Sequence, residues 1–131
     1  MEREGITVLL VDDEVAFTRT LAQRLMMRDL RVIIAHDGQQ ALSKTQNEKP
    51  DVIVLDLNMP GMHGMDVLRE IREIYPQIQV IILTGHGTDK DEEEAIRLGG
   101  FGFLKKPIEI EMLEHKIKAA FKEKNGKTEL R

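Results

Sequence analysis

Residues that can do chemistry stand at the ends of apolar runs in this chain. Asp12 and Asp13 directly follow the run Ile6–Val11, and Asp56 directly follows Val52–Leu55. Carboxylates held close together repel each other, which raises a pKa or recruits a cation. A hard cation with oxygen ligands suits this set. Mg²⁺ suits it best, because it leaves coordination positions for water and phosphate oxygens.

Two further residues at such positions can bind an anion. Thr84 follows Gln79–Leu83 and adds a hydroxyl group, while Lys106 follows Gly102–Lys105 and adds a fixed positive charge. A nucleophilic carboxylate, a metal ion and groups that neutralise the transferring oxygens are what phosphoryl transfer requires. These residues together therefore favour a phosphoryl-transfer site.

Each of these residues also has an ordinary structural interpretation. Acids after a strand often cap the next helix, a threonine often forms a turn, and a lysine is most often a solvated charge. Asp56 resists this interpretation, because a lone acid after an apolar strand needs a partner. All of the residues stand at predicted strand ends, and this coincidence favours the functional interpretation.

The periodicity of apolar residues predicts five strands that alternate with five helices. The predicted strands are Ile6–Val11, Arg31–Ala35, Val52–Leu55, Gln79–Leu83 and Gly102–Lys105. The predicted helices are Asp13–Arg28, Gln39–Gln46, Met65–Ile74, Asp89–Leu98 and a last one from Ile110 to about Phe121. This alternation predicts a three-layer α/β fold, the flavodoxin-like (βα)5 type, with a five-stranded parallel sheet of order 2-1-3-4-5. Ligands bind beyond the carboxyl ends of such strands, where these polar residues would meet.

Composition limits the class of protein. A chain of 131 residues fits one domain, and we assign residues 1–122 to it and residues 123–131 to a polar C-terminal tail or linker remnant. The lack of cysteine excludes disulfides and thiolate metal sites and suits the cytoplasm, where we expect the protein. No apolar run approaches the roughly 20 residues of a membrane helix. A net charge of −4 argues against nucleic-acid binding by this domain. His36 is expected on the surface.

The chain resembles the response-regulator receiver family of two-component signalling from about residue 7 to residue 121. The segments that carry this resemblance are Val8–Glu14, Asp56–Gly64, Leu83–Gly87 and Phe103–Pro107. The resemblance implies that Asp56 is the phosphoacceptor, supplied by a phosphohistidine of a sensor kinase or phosphotransfer protein. Asp12 and Asp13 look like the metal acids. Mg²⁺ would bind directly to Asp13, to Asp56 and to the main-chain carbonyl of Asn58.

The resemblance also implies how phosphorylation is completed and read. Thr84 and Lys106 would each contact a phosphoryl oxygen, and the Lys106–Pro107 peptide bond is expected to be cis. Thr84 and Phe103 match the family's switch residues. The fourth helix offers no apolar residue over Asp89–Glu94, so we expect phosphorylation to shift it. The surface of helix four, strand five and helix five would then bind a partner or a second copy of the chain.

Three other classes of protein fit the residues less well. A phosphatase of the haloacid dehalogenase type needs a second acid two residues after its nucleophile, and Asn58 stands there. A flavodoxin-like electron carrier would have its flavin phosphate repelled by Asp12–Glu14. A pseudo-receiver would have lost part of the site residues. A receiver cut from a longer transcription activator or hybrid histidine kinase stays open as an alternative. In either case we expect a self-phosphorylating and self-dephosphorylating switch without an external turnover substrate.

Overall fold

Five strands alternate with five helices in the computed structural model, which describes residues 5–129, with side-chain surroundings up to residue 124. The strands are β1 (Ile6–Val11), β2 (Leu30–Ala35), β3 (Val52–Leu55), β4 (Gln79–Thr84) and β5 (Gly102–Lys105). The helices are α1 (Val15–Met26), α2 (Gly38–Glu48), α3 (Gly64–Ile74), α4 (Asp89–Arg97) and α5 (Ile110–Glu129). The predicted α/β class is confirmed.

The strands form one parallel sheet of order β2-β1-β3-β4-β5, as predicted. The register places Val11 of β1 opposite Leu55 of β3. Since each of these residues is the last of its strand, the acids that follow them emerge side by side. Thr84 of β4 likewise lies opposite Lys105 of β5. The chemistry-bearing residues therefore share one edge of the sheet.

Helices cover both faces of the sheet, and each face has its own apolar core. The residues of β1 divide between the two: Leu9 and Val11 pack with α2, α3 and α4, while Val8 and Leu10 pack with α1 and α5. All four side chains are buried. This explains the continuous apolar runs, because a strand covered on both faces needs apolar residues at every position.

The last helix differs from its predicted extent. We expected it to end near Phe121 and residues 123–131 to form a polar tail, but α5 continues to Glu129. The predicted end of the helix is wrong, because polar residues such as lysine and glutamate sustain a helix without an apolar stripe. Lys124 Nζ also lies 2.6 Å from Asp51 Oδ1, which fixes this end of the helix to the body of the domain. Residues 130 and 131 lie outside the described part, and the domain boundary near residue 122 stays a prediction.

Helix α4 has well-formed ends but little apolar contact with the body. At its start, Thr88 Oγ1 accepts a hydrogen bond from Asp91 N at 3.1 Å and Asp91 Oδ2 accepts one from Thr88 N at 3.0 Å, a capping box. At its end, Gly99 adopts a φ of 102°, which terminates helices. Ala95 is its one fully buried residue. Local stability is therefore low in this helix.

Within residues 5–129, no helix combines the length and apolar character needed to cross a membrane.

Candidate functional site

Three carboxylates meet where β1 and β3 end. Asp12 N donates to Ala35 O at 3.1 Å and Asp56 N donates to Val11 O at 2.9 Å, so the sheet fixes both main chains. Oxygen atoms of Asp12, Asp13 and Asp56 all lie within 4.8 Å of one another. Asp12 and Asp56 are buried, at 4% and 6% exposure, while Asp13 faces solvent. The predicted acidic cluster is thus present, with one side open to ligands.

The carboxylate of Asp56 has a free binding position. Its Oδ1 atom is buried and has no hydrogen-bond partner within the described residues. A buried oxygen without a partner costs free energy, so such an atom points to a ligand that completes it. Carboxylate oxygens are the donors that Mg²⁺ prefers. The acidic cluster therefore fits a divalent cation.

Lys106, which directly follows β5, reaches into this cluster. Its Nζ atom lies 2.7 Å from Asp12 Oδ2, 3.0 Å from Glu14 Oε1 and 4.0 Å from Asp56 Oδ2. The main-chain N of Lys106 donates to Thr84 O at 2.9 Å, which links the ends of β4 and β5. The peptide bond between Lys106 and Pro107 is cis, as predicted. One ammonium group thus serves three acids, and it contacts two of them closely.

Burial and charge act in opposite directions on the pKa values of this pair. Burial raises the pKa of Asp12 and outweighs the hydrogen bond from Lys106, because desolvation disfavours the charged form. Burial alone would lower the pKa of Lys106, but hydrogen bonds to Asp12 and Glu14 and the nearby negative charges leave it raised. The Lys106 ammonium is therefore firmly protonated, while burial of the charged Asp12 carboxylate costs free energy.

Thr84, Asn58 and Phe103 lie beside the cluster. Thr84 is fully buried, and its hydroxyl accepts a hydrogen bond of 3.4 Å from Nδ2 of Asn58. Phe103 is half-buried, and its ring packs against Gly87 and joins the core on the α3–α4 side. The structure therefore brings the predicted acids, Lys106, Thr84 and Asn58 to one edge of the sheet, and Phe103 lies near Thr84 across Gly87. The metal role of the Asn58 carbonyl and the switch role of Phe103 stay predictions.

Comparison with known proteins decides the family. Residues 8–118 match the family model of the response regulator receiver domain. The chain belongs to this family. The transcriptional regulatory protein GlrR of Escherichia coli is 34% identical to it over 131 residues, which is all of this chain and 30% of GlrR. CpxR, a second transcriptional regulatory protein of E. coli, is 38% identical over 112 residues, 86% of this chain and 47% of CpxR.

A solved receiver structure gives the same fold. The CheY-like response regulator receiver domain protein from Methanospirillum hungatei superposes with a TM-score of 0.91 at 25% identity, covering 95% of this chain and 99% of the other. This chain therefore aligns over nearly its full length with nearly all of the solved receiver chain. It spans less than half the length of both transcriptional regulators named above.

Two contacts of the receiver site, made by His36 and Phe17, were not predicted from the sequence. His36, expected on the surface, is half-buried, and its Nδ1 lies 3.0 Å from the carbonyl oxygen of Asp12. Phe17, which follows the acids in α1, has the Lys106 ammonium over its ring. His36 directly follows β2 and so stands at the same sheet edge as the acids. This position was the signal that could have identified it.

Proposed function

We propose that this receiver is the phosphoacceptor switch of a two-component or phosphorelay system. Its donor would be the phosphohistidine of a sensor kinase or phosphotransfer protein, and its acceptor Asp56. The observation that carries the proposal is the buried, unpartnered Oδ1 of Asp56 inside an acidic cluster that also holds an ammonium group. Buried carboxylate oxygens with a purely structural role are normally paired.

The transfer can be written for the residues of the chain. A carboxylate oxygen of Asp56 attacks the phosphorus atom in line with the leaving imidazole. The new O–P bond forms as the P–N bond breaks, the electron pair returns to the imidazole nitrogen, and an acyl phosphate results. Lys106 and Thr84 would each donate a hydrogen bond to a phosphoryl oxygen, stabilising the charge there. Attack by water on the phosphorus later releases inorganic phosphate and restores the carboxylate.

The metal-binding set would consist of Asp12, Asp13, Asp56 and the main-chain carbonyl of Asn58. Bound Mg²⁺ supplies neutralisation of the carboxylate and phosphoryl charges, which otherwise repel each other. The raised pKa of Asp12 supports this assignment, because its cause is a buried negative charge that a cation would stabilise. The spacing of the three carboxylates also supports it, because oxygen atoms of Asp12, Asp13 and Asp56 lie within 4.8 Å of one another.

We further propose how phosphorylation is read. The Thr84 hydroxyl would leave Asn58 and bond the phosphoryl group, the ring of Phe103 would turn inward into the space released, and α4 would shift. The weak apolar anchoring of α4 supports this, since a small differential interaction can move an element of low stability. The α4–β5–α5 surface would then bind a partner or form a homodimer. We expect neither nucleic acid nor membrane as a ligand of this domain.

Intact-mass measurement tests the phosphoacceptor. The protein is incubated with acetyl phosphate, with and without Mg²⁺, and the gain of one phosphoryl mass is followed. We expect a Mg²⁺-dependent gain in the wild type and none in Asp56→Asn. Asp51→Asn, which changes an acid at the opposite end of β3, is the matched control and should keep the gain. A gain that persists in Asp56→Asn, mapped to another residue, would show that the assignment is wrong.

Hydrogen exchange tests the switch. Beryllofluoride mimics the phosphoryl group, so adding it should alter protection across residues 84–106 in the wild type and leave Thr84→Ala largely unresponsive. Equal protection with and without beryllofluoride would refute the proposed change of α4.

The same site fits a receiver that works inside a longer protein. The chain spans 30% of GlrR and 47% of CpxR, both named as transcriptional regulatory proteins. A transcription activator is therefore the second candidate for the whole protein, and a hybrid histidine kinase a third. In each case the domain would be a self-phosphorylating switch and not a turnover enzyme, and the cytoplasm is the expected compartment.

A further inference from the structure

The ammonium group of Lys106 has acids on one side and an aromatic ring on the other. Nζ lies 4.3 Å from the centroid of the Phe17 ring. Two of its acid partners, Asp12 and Glu14, are within hydrogen-bond distance, while Asp56 Oδ2 is 4.0 Å away. The lysine side chain is 15% exposed. The ring therefore forms the apolar wall of the pocket that holds this charge.

This arrangement leaves one donor of the ammonium group for the reacting centre. A lysine carries three N–H donors, and the carboxylates of Asp12 and Glu14 accept two of them. Phe17 accepts no ordinary hydrogen bond, but its ring face attracts a cation and keeps water away from it. The remaining donor is then available to Asp56. From this we infer that Phe17 is a positioning residue, whose ring holds the Lys106 ammonium so that its third donor meets the phosphoryl group on Asp56.

The placement of Phe17 suits this role. It lies in the first turn of α1, where Thr18 N donates to Glu14 O at 3.0 Å, and its half-buried ring packs against the core formed with α5. The ring is therefore fixed, whereas a lysine side chain has many rotamers to lose on being held in place. Glu14 is 62% exposed and provides a weaker restraint. Without the ring, the ammonium would spend more of its time turned toward solvent.

The inference rests on the proposed phosphoryl transfer, and rate measurements with acetyl phosphate test it. Acetyl phosphate is a small molecule without a protein surface, so the measured rate does not depend on docking of a kinase. We expect Phe17→Leu to lower the phosphorylation rate constant about three- to tenfold, the range of a partly buried cation–π contact. Phe17→Tyr keeps the ring and should stay within about twofold of the wild type. Phe121→Leu, the same change in the same core, is the matched control and should match the wild type.

Two further measurements separate positioning from a loss of fold or of metal binding. Mg²⁺ should bind Phe17→Leu at least as tightly as the wild type, because the ring holds no metal ligand and a displaced Lys106 ammonium competes less for the Asp12 carboxylate. In a Lys106→Met background, Phe17→Leu should have no further effect on the residual rate. An equal rate in Phe17→Leu and wild type, or an undiminished effect without the lysine, would overturn the inference.

An NMR measurement distinguishes failure of this inference from failure of the proposed function. The ε-methylene protons of Lys106 should show an upfield ring-current shift that Phe17→Leu removes and Phe17→Tyr keeps. If this shift is absent from the wild type, the stacking is wrong, whatever the protein does with acetyl phosphate. If the shift is present but the wild type gains no phosphoryl mass, the proposed function is wrong, and the positioning role is overturned with it.

Discussion

The aromatic ring of Phe103 lies directly on the main chain of Gly87. A Cβ atom at position 87 would collide with Cζ of Phe103 and would sit 2.9 Å from Cγ2 of Thr84. Real Cβ atoms do not approach other carbons so closely, so this ring position requires glycine. The glycine thus lies between the two residues that we assign to the switch.

Gly87→Ala should expel the Phe103 ring from its half-buried position. If the ring stayed, overpacking would cost about 1–3 kcal/mol, so we expect a lower melting temperature and loss of the nuclear Overhauser effects between the ring and the Thr84 methyl group. Gly85→Ala is the control, because its new Cβ would lie 3.9 Å from Lys106 Cδ, an ordinary contact. Retention of the ring contacts in Gly87→Ala would contradict the prediction.

Glu14→Gln should make the Lys106 ammonium more available to a phosphoryl group. The Glu14 carboxylate accepts from Nζ at 3.0 Å and so competes with phosphoryl oxygens. Because Glu14 is largely exposed, its ion pair is worth at most about 1 kcal/mol. Beryllofluoride affinity in the presence of Mg²⁺, measured by titration, should rise by about fivefold at most. Glu109→Gln removes one charge without an ion pair among the described side chains, and it should leave the affinity as it is. A weaker affinity in Glu14→Gln would mean that Glu14 assists binding.

Asp13→Asn should raise the melting temperature of the metal-free protein and weaken its affinity for Mg²⁺. The three acids are held together at a cost in repulsion, and removing one charge relieves it. Because Asp13 is exposed, the gain in stability is modest, whereas loss of a metal ligand should weaken binding by at least about tenfold. Thermal scans with EDTA and Mg²⁺ titrations measure the two effects. A lower metal-free melting temperature together with unchanged affinity would be evidence against the site.

Glu114→Gln should destabilise the protein at neutral pH and lose this effect in acid. The hydrogen bond from Lys118 holds the pKa of Glu114 below its usual 4.5, and the charges of Lys118 and Arg28 act in the same direction. A lowered pKa in the folded state means that the stabilisation is complete above pH 4.5 and fades as the pH falls through the folded value. Urea unfolding from pH 7 downward should show the two proteins converging below pH 4.5. A constant difference at every pH would assign the effect to packing.

Strand positions could be predicted from the sequence because strands buried on both faces are continuous apolar runs. The bounds of β1, β3 and β5 agree with their predicted bounds, and the acids and the lysine follow from where those runs stop. The end of α5 could not be predicted in this way. Beyond Phe121 the helix no longer shows an apolar stripe, so periodicity carries no information about its length.

Contacts between residues that lie far apart in the sequence could not be predicted either. Phe17 belongs to an apolar stripe with Leu21 and Leu25, and the pattern alone describes it as a core residue. Its place under the Lys106 ammonium depends on how that side chain reaches from the end of β5 to the acids at the end of β1, which a local pattern does not specify. The same holds for His36, whose ring reaches the Asp12 carbonyl through the pairing of β1 with β2.

The hydrogen bond from Lys106 N to Thr84 O has a consequence for the mechanics of signalling. This bond joins the main chains of Thr84 and Lys106, the two residues proposed to contact the phosphoryl group. Their main chains can therefore separate only if this hydrogen bond at the edge of the sheet breaks. The hydroxyl can therefore approach the phosphate by turning about its own bond, against an anchored lysine. The edge of the sheet therefore stays in place, and we expect phosphorylation to act on the loop after β4 and on α4, the helix with a single fully buried residue.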